Sequence, residues 1–189
     1  METLKDAVTI IFGFFALVIA YKGLQTWRLQ LKSTADTELA RRILIQLYKV
    51  QNEVAHLRRP LRETFLPNGI NRLDIDAVNK AWAEQYDTEW QSLQKELAEL
   101  HVACIEAQAV WDKDFPQKLV PLKQCIGELR LHISENIKMQ LKPVYTSHLN
   151  SEEMDMVLYG LGKDGDSFAQ KVEDAILQVD KDTRPFLVK

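Results

Sequence analysis

The apolar positions of this chain follow two patterns. From Ala7 to Tyr21 they form one run, "AVTIIFGFFALVIAY", that holds no charged residue. From Ala40 onward they recur at alternating spacings of three and four, the period of helices that bury one face. Ile43, Leu47, Val50, Val54, Leu57 and Leu61 line up first and predict a helix over about 35–59. Pro60 ends it, because the residue before a proline is pushed out of helical geometry. Turn chemistry follows at Pro67 to Gly69, "PNG". A second helix over about 74–114, capped by Asp74 or Asp76, meets no glycine or proline before Pro116. Its stripe is Ile75, Val78, Trp82, Tyr86, Leu93, Leu97, Leu100, Cys104, Ala107 and Trp111. A rod of roughly 60 Å must lay that stripe against something of similar length.

The third helix, about 120–141, carries Leu122, Ile126, Leu129, Ile133, Ile137 and Leu141, with Pro116 or Pro121 in its first turn and Pro143 as its stop. "HLNSEEMDMVLYGLGKDGD" reads as a weakly patterned connection with room for a short element around Met154 to Tyr159. A last helix over about 167–182 starts at an Asp166 or Ser167 cap and uses Phe168, Val172, Ala175, Ile176 and Val179. No period-two segment of useful length exists, so the fold class is all-α.

The charge-free run is shorter than the roughly twenty residues a membrane span needs, but its flanks extend it. Between Leu4 and Leu24 the only charges are Lys5, Asp6 and Lys22, all near the ends. Lysine stems lie along apolar surface while their heads reach the interface. About 21 helical residues then cross roughly 30 Å. The expected architecture is a single transmembrane anchor, residues 1–24, followed by an elongated antiparallel helical bundle, residues 25–189. Phe12, Phe14, Phe15, Leu17 and Ile19 would face lipid, with Tyr21 and Trp27 at headgroup level. Val18-Ile-Ala20 resembles a cleavage site, yet Glu2 and Asp6 precede the run, the wrong charge for a signal peptide. Lys22, Arg28, Lys32, Arg41, Arg42 and Lys49 follow it, which places the N terminus outside and the C-terminal domain in the cytoplasm. Thr9, Gly13, Ala16, Ala20 and Gly23 gather small residues on one face, where another helix could approach closely and the span self-associate; the alternative is that Gly and Ala are simply common in such helices.

Ser33 to Thr37 are poor helix formers but not breakers. If the helix continues through them, it extends about 57 Å from Lys22 to Arg59, and the returning rod matches its length. That match would bring Trp111, Lys113 and Phe115 back beside Trp27 at the membrane.

Composition sharpens this only in places. The chain has 189 residues, net charge −3 and two cysteines, Cys104 and Cys125, which suit a reducing compartment. Charge is uneven: from Lys22 to Arg62 nine Lys/Arg face three acids, whereas from Ser151 to Asp182 three lysines face nine. The basic half suits an anionic membrane surface. The acidic end is expected to point away from it or to pair with Arg58, Arg59 and Arg62.

Chemistry is sparse. Glu53-Val-Ala-His56 has the Glu-x-x-His spacing of di-iron bundles, but those need two such pairs and only one exists. His101 with Cys104 and Cys125 with His132 invite a zinc site, yet the second pair is about 10 Å apart along its helix, too far for one ion. Ser92-Leu-Gln-Lys95 lacks the companion motifs of acylating enzymes. "GLGKDGDS" lacks the Gly-Lys-Ser/Thr of a phosphate loop and the ligand alternation of an EF-hand. No catalytic residue, cofactor or metal ligand is therefore assigned. Nucleic-acid binding has no support from charge or motif.

The span followed by "YKGLQTWRLQLK" from Tyr21, "ELARRILIQLYKV" from Glu38, Ala81-Trp82, "EAQAVW" from Glu106 and "TRPF" from Thr183 resembles a family of bacterial membrane-anchored helical proteins with one N-terminal span and no assigned activity. That resemblance implies a bacterial inner-membrane location and transfers no functional residue. The expected role is a non-enzymatic, membrane-tethered interaction or scaffold module acting on a protein partner or a second copy of itself. A membrane-acting stress or defence effector with a sensing bundle, and a metal-dependent enzyme using Glu53, His56, His101 or Cys104, are the alternatives.

Overall fold

The computed structural model describes residues 2–58, 74–141, 147–161 and 165–187, with the side chains of the first helix from residue 13 onward. Five α-helices make it up: α1 (Glu2–Leu57), α2 (Ile75–Val110), α3 (Val120–Leu141), α4 (Ser151–Tyr159) and α5 (Ser167–Thr183). Short 3₁₀ turns occupy Phe115–Leu119 and Arg184–Phe186, and there is no strand among the described residues.

α1 runs unbroken through Ser33 to Thr37. Its threonines are tolerated because each hydroxyl bonds back one turn: Thr26 to Lys22 O at 3.0 Å, Thr34 to Gln30 O at 2.9 Å, Thr37 to Ser33 O at 2.9 Å. The caps expected at Asp74 and Asp166 form, and Asn150 supplies one that was not anticipated. Asp74 accepts from Ala77 N, Asn150 from Glu152 N, and Asp166 from Ala169 N.

α1, α2, α3 and α5 form an up-and-down four-helix bundle, closed into a ring because α1 packs on both α2 and α5. α2 runs antiparallel to α1, as the ladder Arg42 to Glu106, Gln46 to Glu99 and Lys49 to Glu96 records. On its other flank α2 meets α3, where Asn79 Nδ2 donates to Gln140 O at 2.8 Å and Arg130 lies over the Trp90 ring. Leu47, Leu93, Leu100, Leu122, Leu129 and Phe168 are among the fully buried side chains at the centre. The predicted stripe of α5 is buried, as are Ile43 to Leu57 of the α1 stripe and Leu122, Ile126, Leu129 and Ile133 of the α3 stripe. Ile137 is only partly buried, and Leu141 at the end of α3 and Ile75 at the start of α2 stay exposed, while Leu61 lies outside the described residues.

The end of the bundle farthest from the α1 N terminus is tied by one side chain. Arg58 donates through Nε to Val157 O at 2.6 Å and through Nη2 to Met156 O at 3.0 Å and Asp166 Oδ1 at 2.7 Å, while its guanidinium rests on Phe168. It thereby satisfies carbonyls in the last turn of α4 and charge-pairs the cap of α5. Gly160 makes that corner fit: it ends α4 at φ 71°, and a Cβ there would meet Asp166 Oδ2 at 2.6 Å. Arg59 and Arg62, expected to share this pairing, lie outside the described residues, as do Pro60 and the "PNG" turn.

At the opposite end Trp111 Nε1 donates to the buried Asp36 at 2.8 Å, and its ring stacks on Phe186 at 3.9 Å with Phe115 edge-on. This corrects the expected register. Trp111 meets α1 at Asp36, nine residues and about 13 Å short of Trp27, so α2 does not return to the level of Tyr21 and Trp27. Phe115 is buried beneath Trp111 rather than presented outward. Charge placement differs too. Asp166 pairs with Arg58 as expected, but α5 runs back toward Thr37, so Asp180 and Asp182 sit at the end nearer the apolar run. Tyr48 and Arg184 bond Asp180, and Lys118 bonds Asp182 at 3.4 Å.

Burial alone would raise the carboxyl of Asp180, but hydrogen bonds from Arg184 and Tyr48 outweigh it and hold it below the ordinary value. Asp166 behaves likewise, burial being outweighed by Arg58 and the Ala169 amide. Both folded values lie below the unfolded one, about 3.9. The stability they contribute is complete above that value and is lost as pH falls through the folded values. Acid unfolding of Asp180→Asn should therefore have a flatter pH dependence below about pH 4 than the parent. Urea titrations at several pH values measure it, and parallel profiles would contradict it.

Candidate functional site: the uncovered stretch of α1

Only the second part of α1 belongs to the bundle. Among the side chains described, Asp36 is the first buried one, and from Gly13 to Lys32 every side chain is exposed. The stretch Gly13–Ala35 thus leaves the bundle as a lone helix of about 34 Å. Phe14, Phe15, Leu17, Ile19, Tyr21 and Trp27 are 57 to 70 % exposed along it. Gly13 and Gly23 have no atom of another element near the position of an added Cβ, and Ala16 and Ala20 are exposed beside them. The described ones among the anticipated lipid-facing and small residues therefore lie together on this one helix, exposed to solvent. Phe12 and Thr9 are among residues 2–12, whose side chains lie outside the described set. Among the described residues no helix is long and apolar enough to cross a membrane.

A monomeric soluble fold rarely leaves so continuous an apolar surface open. Such a helix also gains no tertiary support of its own, since a lone helix is held in water by propensity alone. The clamp of Asp36, Thr37, Trp111 and Phe186 marks where support begins, because Thr37 Oγ1 also lies 3.2 Å from Phe186 O.

Just inside that clamp an open groove of about 900 Å³ follows the outer side of the α1 and α2 pair. Leu39, Ile45, Ala109 and Val110 line it with Lys32, Glu38, Arg41 and Arg42. Ile45, Val102 and Val110 are about half exposed there, an apolar strip between charged rims.

The residues considered for chemistry are not gathered. Glu53 and His56 sit on the outer side of α1, His101 is half-buried on α2, and Ser92 and Lys95 are exposed. Cys104 and Cys125 are free and buried, and burial pushes the Cys104 thiol up to about 12 against a smaller opposing effect of Lys123. Burial, assisted by Glu128, raises Cys125 as well. Among the described residues no group of three His, Cys, Asp or Glu is placed to hold a metal ion. His132 is buried with Nδ1 bonded to Glu128 O at 2.8 Å and Nε2 4.0 Å from Glu153. No protein-family model, curated protein or solved structure matches the chain.

The buried Asp36 was not legible as special: it reads as an ordinary charge in a basic helix, and only the axial offset of α2 gives it Trp111 as a partner. The Arg58 to Asp166 pairing was anticipated from charge, but not its bonds to the α4 carbonyls.

Proposed function

We propose that the chain is a membrane-tethered helical interaction module: α1 crosses a bilayer with residues 4–24, and the bundle stands on the side that the following lysines and arginines occupy. The observation that carries this reading is the run of exposed side chains from Gly13 to Lys32, which nothing among the described residues covers. Lipid is the cover that suits them, because the sequence continues the apolar helix upstream to Leu4 and places its few charges at the ends. Lys22, Arg28, Lys32, Arg41, Arg42 and Lys49 put the bundle in the cytoplasm by the positive-inside rule. The resemblance noted above makes the membrane a bacterial inner membrane. Protein contact is the proposed activity, because an apolar groove lies open close to the anchor.

Alkaline washing of membranes from cells that express the full chain tests the tether. Retention in the pellet, together with digestion of a C-terminal tag only after the inner membrane is opened, is the expected result. Release by alkali, or digestion of the tag from outside in spheroplasts, overturns it. The unbroken α1 favours a second reading, a stress or defence effector whose bundle transmits a rearrangement to the span. Strong expression would then lower membrane potential under challenge, and an unchanged potential would exclude it.

A further inference from the structure

The cations of α1 divide into two sets. The bundle uses one set itself: Arg42 pairs with Glu106, Lys49 with Glu96 and Arg58 with Asp166. Lys22, Arg28 and Lys32 are exposed, and none forms an ion pair with another described residue. At about 100° per residue these three share an arc of about 120° on α1. The same arc runs on into Asp36, Ala40 and Ile43, which are buried in the bundle. The free cations therefore lie on the side of α1 from which the bundle hangs.

On the tether reading their height matches the lipid headgroups. With the hydrocarbon edge at Leu24, the Arg28 and Lys32 backbones stand about 6 and 12 Å beyond it. The headgroup layer is about 5 to 8 Å deep. Side chains of a helix lean toward its N terminus, which here is the bilayer side, so both long stems bring their charges back into that layer. Lys22 reaches it from within, its stem lying along apolar surface. No acid opposes them, because the chain has none from Ala7 to Ala35. Asp36, the next one, is buried and accepts from Trp111, and Glu38 stands about 21 Å beyond Leu24. A zwitterionic headgroup brings a cation of its own to this face, whereas an anionic one meets only opposite charge. We infer that Lys22, Arg28 and Lys32 form a binding face for anionic phospholipid headgroups on the bundle side of α1. This inference rests on the tether reading and adds to it the class of lipid and the residues that select it.

Lipid selectivity of the full chain in phosphatidylcholine nanodiscs tests it. Traces of spin-labelled phosphatidylglycerol or spin-labelled phosphatidylcholine report lipid held at the span as a motionally restricted component. At about 0.1 M salt phosphatidylglycerol should associate about fivefold more strongly than phosphatidylcholine, the effect of one effective cation at the surface. At about 1 M salt the Debye length falls to about 3 Å and the preference should collapse, a result read on the parent chain alone. Lys22→Gln, Arg28→Gln and Lys32→Gln combined should bring the ratio close to one. Arg41→Gln removes an exposed cation about 26 Å beyond Leu24 and should leave the ratio at the parent value. A preference that survives high salt, that the triple variant keeps, or that Arg41→Gln removes would overturn the inference. The spectra also keep the two readings apart. A restricted component of equal size with both lipids overturns the headgroup face alone, whereas no restricted component with either lipid overturns the tether and the face with it.

Discussion

Replacing Arg58 by alanine should lower the unfolding free energy of the bundle by about 3 kcal/mol. The side chain is nearly buried, and its loss removes three hydrogen bonds that join α1 to the end of α4 and the cap of α5. Val157 O then loses its Arg58 donor, whereas Met156 O keeps the Gly160 amide and Asp166 Oδ1 keeps the Ala169 amide. Asp166 is about one-third exposed and recovers part of its solvation, so the ion pair contributes less than the carbonyl bonds do. In a chain of this size the loss corresponds to roughly 6 to 12 °C in Tm. Arg58→Lys should recover less than half, because an ammonium cannot span both carbonyls and the carboxylate in one plane. Calorimetry or urea unfolding measures both variants, and a loss below about 1 kcal/mol for Arg58→Ala would show that the knot is peripheral.

Arginine at both Leu17 and Ile19 should have the opposite profile, with a large effect on location and none on the bundle. Each charge near the centre of a span costs about 3 kcal/mol on insertion scales, so the pair shifts partitioning by about four decades. The chain should leave the membrane pellet, while the thermal unfolding of its bundle stays within about 0.5 kcal/mol of the parent. Both side chains are 70 % exposed and touch nothing in the bundle, which is why the second half of this result is expected. Leu29→Arg, beyond the span, should leave the chain in the pellet. Loss of bundle stability in the double variant would mean that residues 13–20 pack on the fold after all.

Much of this architecture is legible in the sequence because apolar periodicity reports directly on which side of a helix is buried. The stripe of α5, most of those of α1 and α3, and the caps at Asp74 and Asp166 follow from local chemistry, whereas α2 ends at Val110, short of the expected 114. Axial offset does not. A stripe such as Leu93, Leu97, Leu100 and Cys104 packs equally well after sliding one or two turns, so matching lengths placed Trp111 beside Trp27. The actual register is set by Trp111 finding Asp36 and Phe186, a contact between residues far apart in sequence. α4 was only half visible, because nine residues carry too few periods to stand out, although Met154, Val157 and Leu158 are buried as its pattern allows. The candidate site shows the same division. Its residue types were evident from the run itself, whereas their freedom from every other element became visible only once the bundle was seen to begin at Asp36.

The tether is tested most directly by spin labels placed one at a time from Gly13 to Leu31 in the full chain reconstituted into lipid vesicles. Collision with oxygen should exceed collision with a water-soluble nickel chelate from Gly13 through Ala20, and the order should reverse between Leu24 and Leu31. Nickel accessibility at Leu17 and Ile19 equal to that at Leu31 would place the whole helix in water and remove the basis for a membrane role.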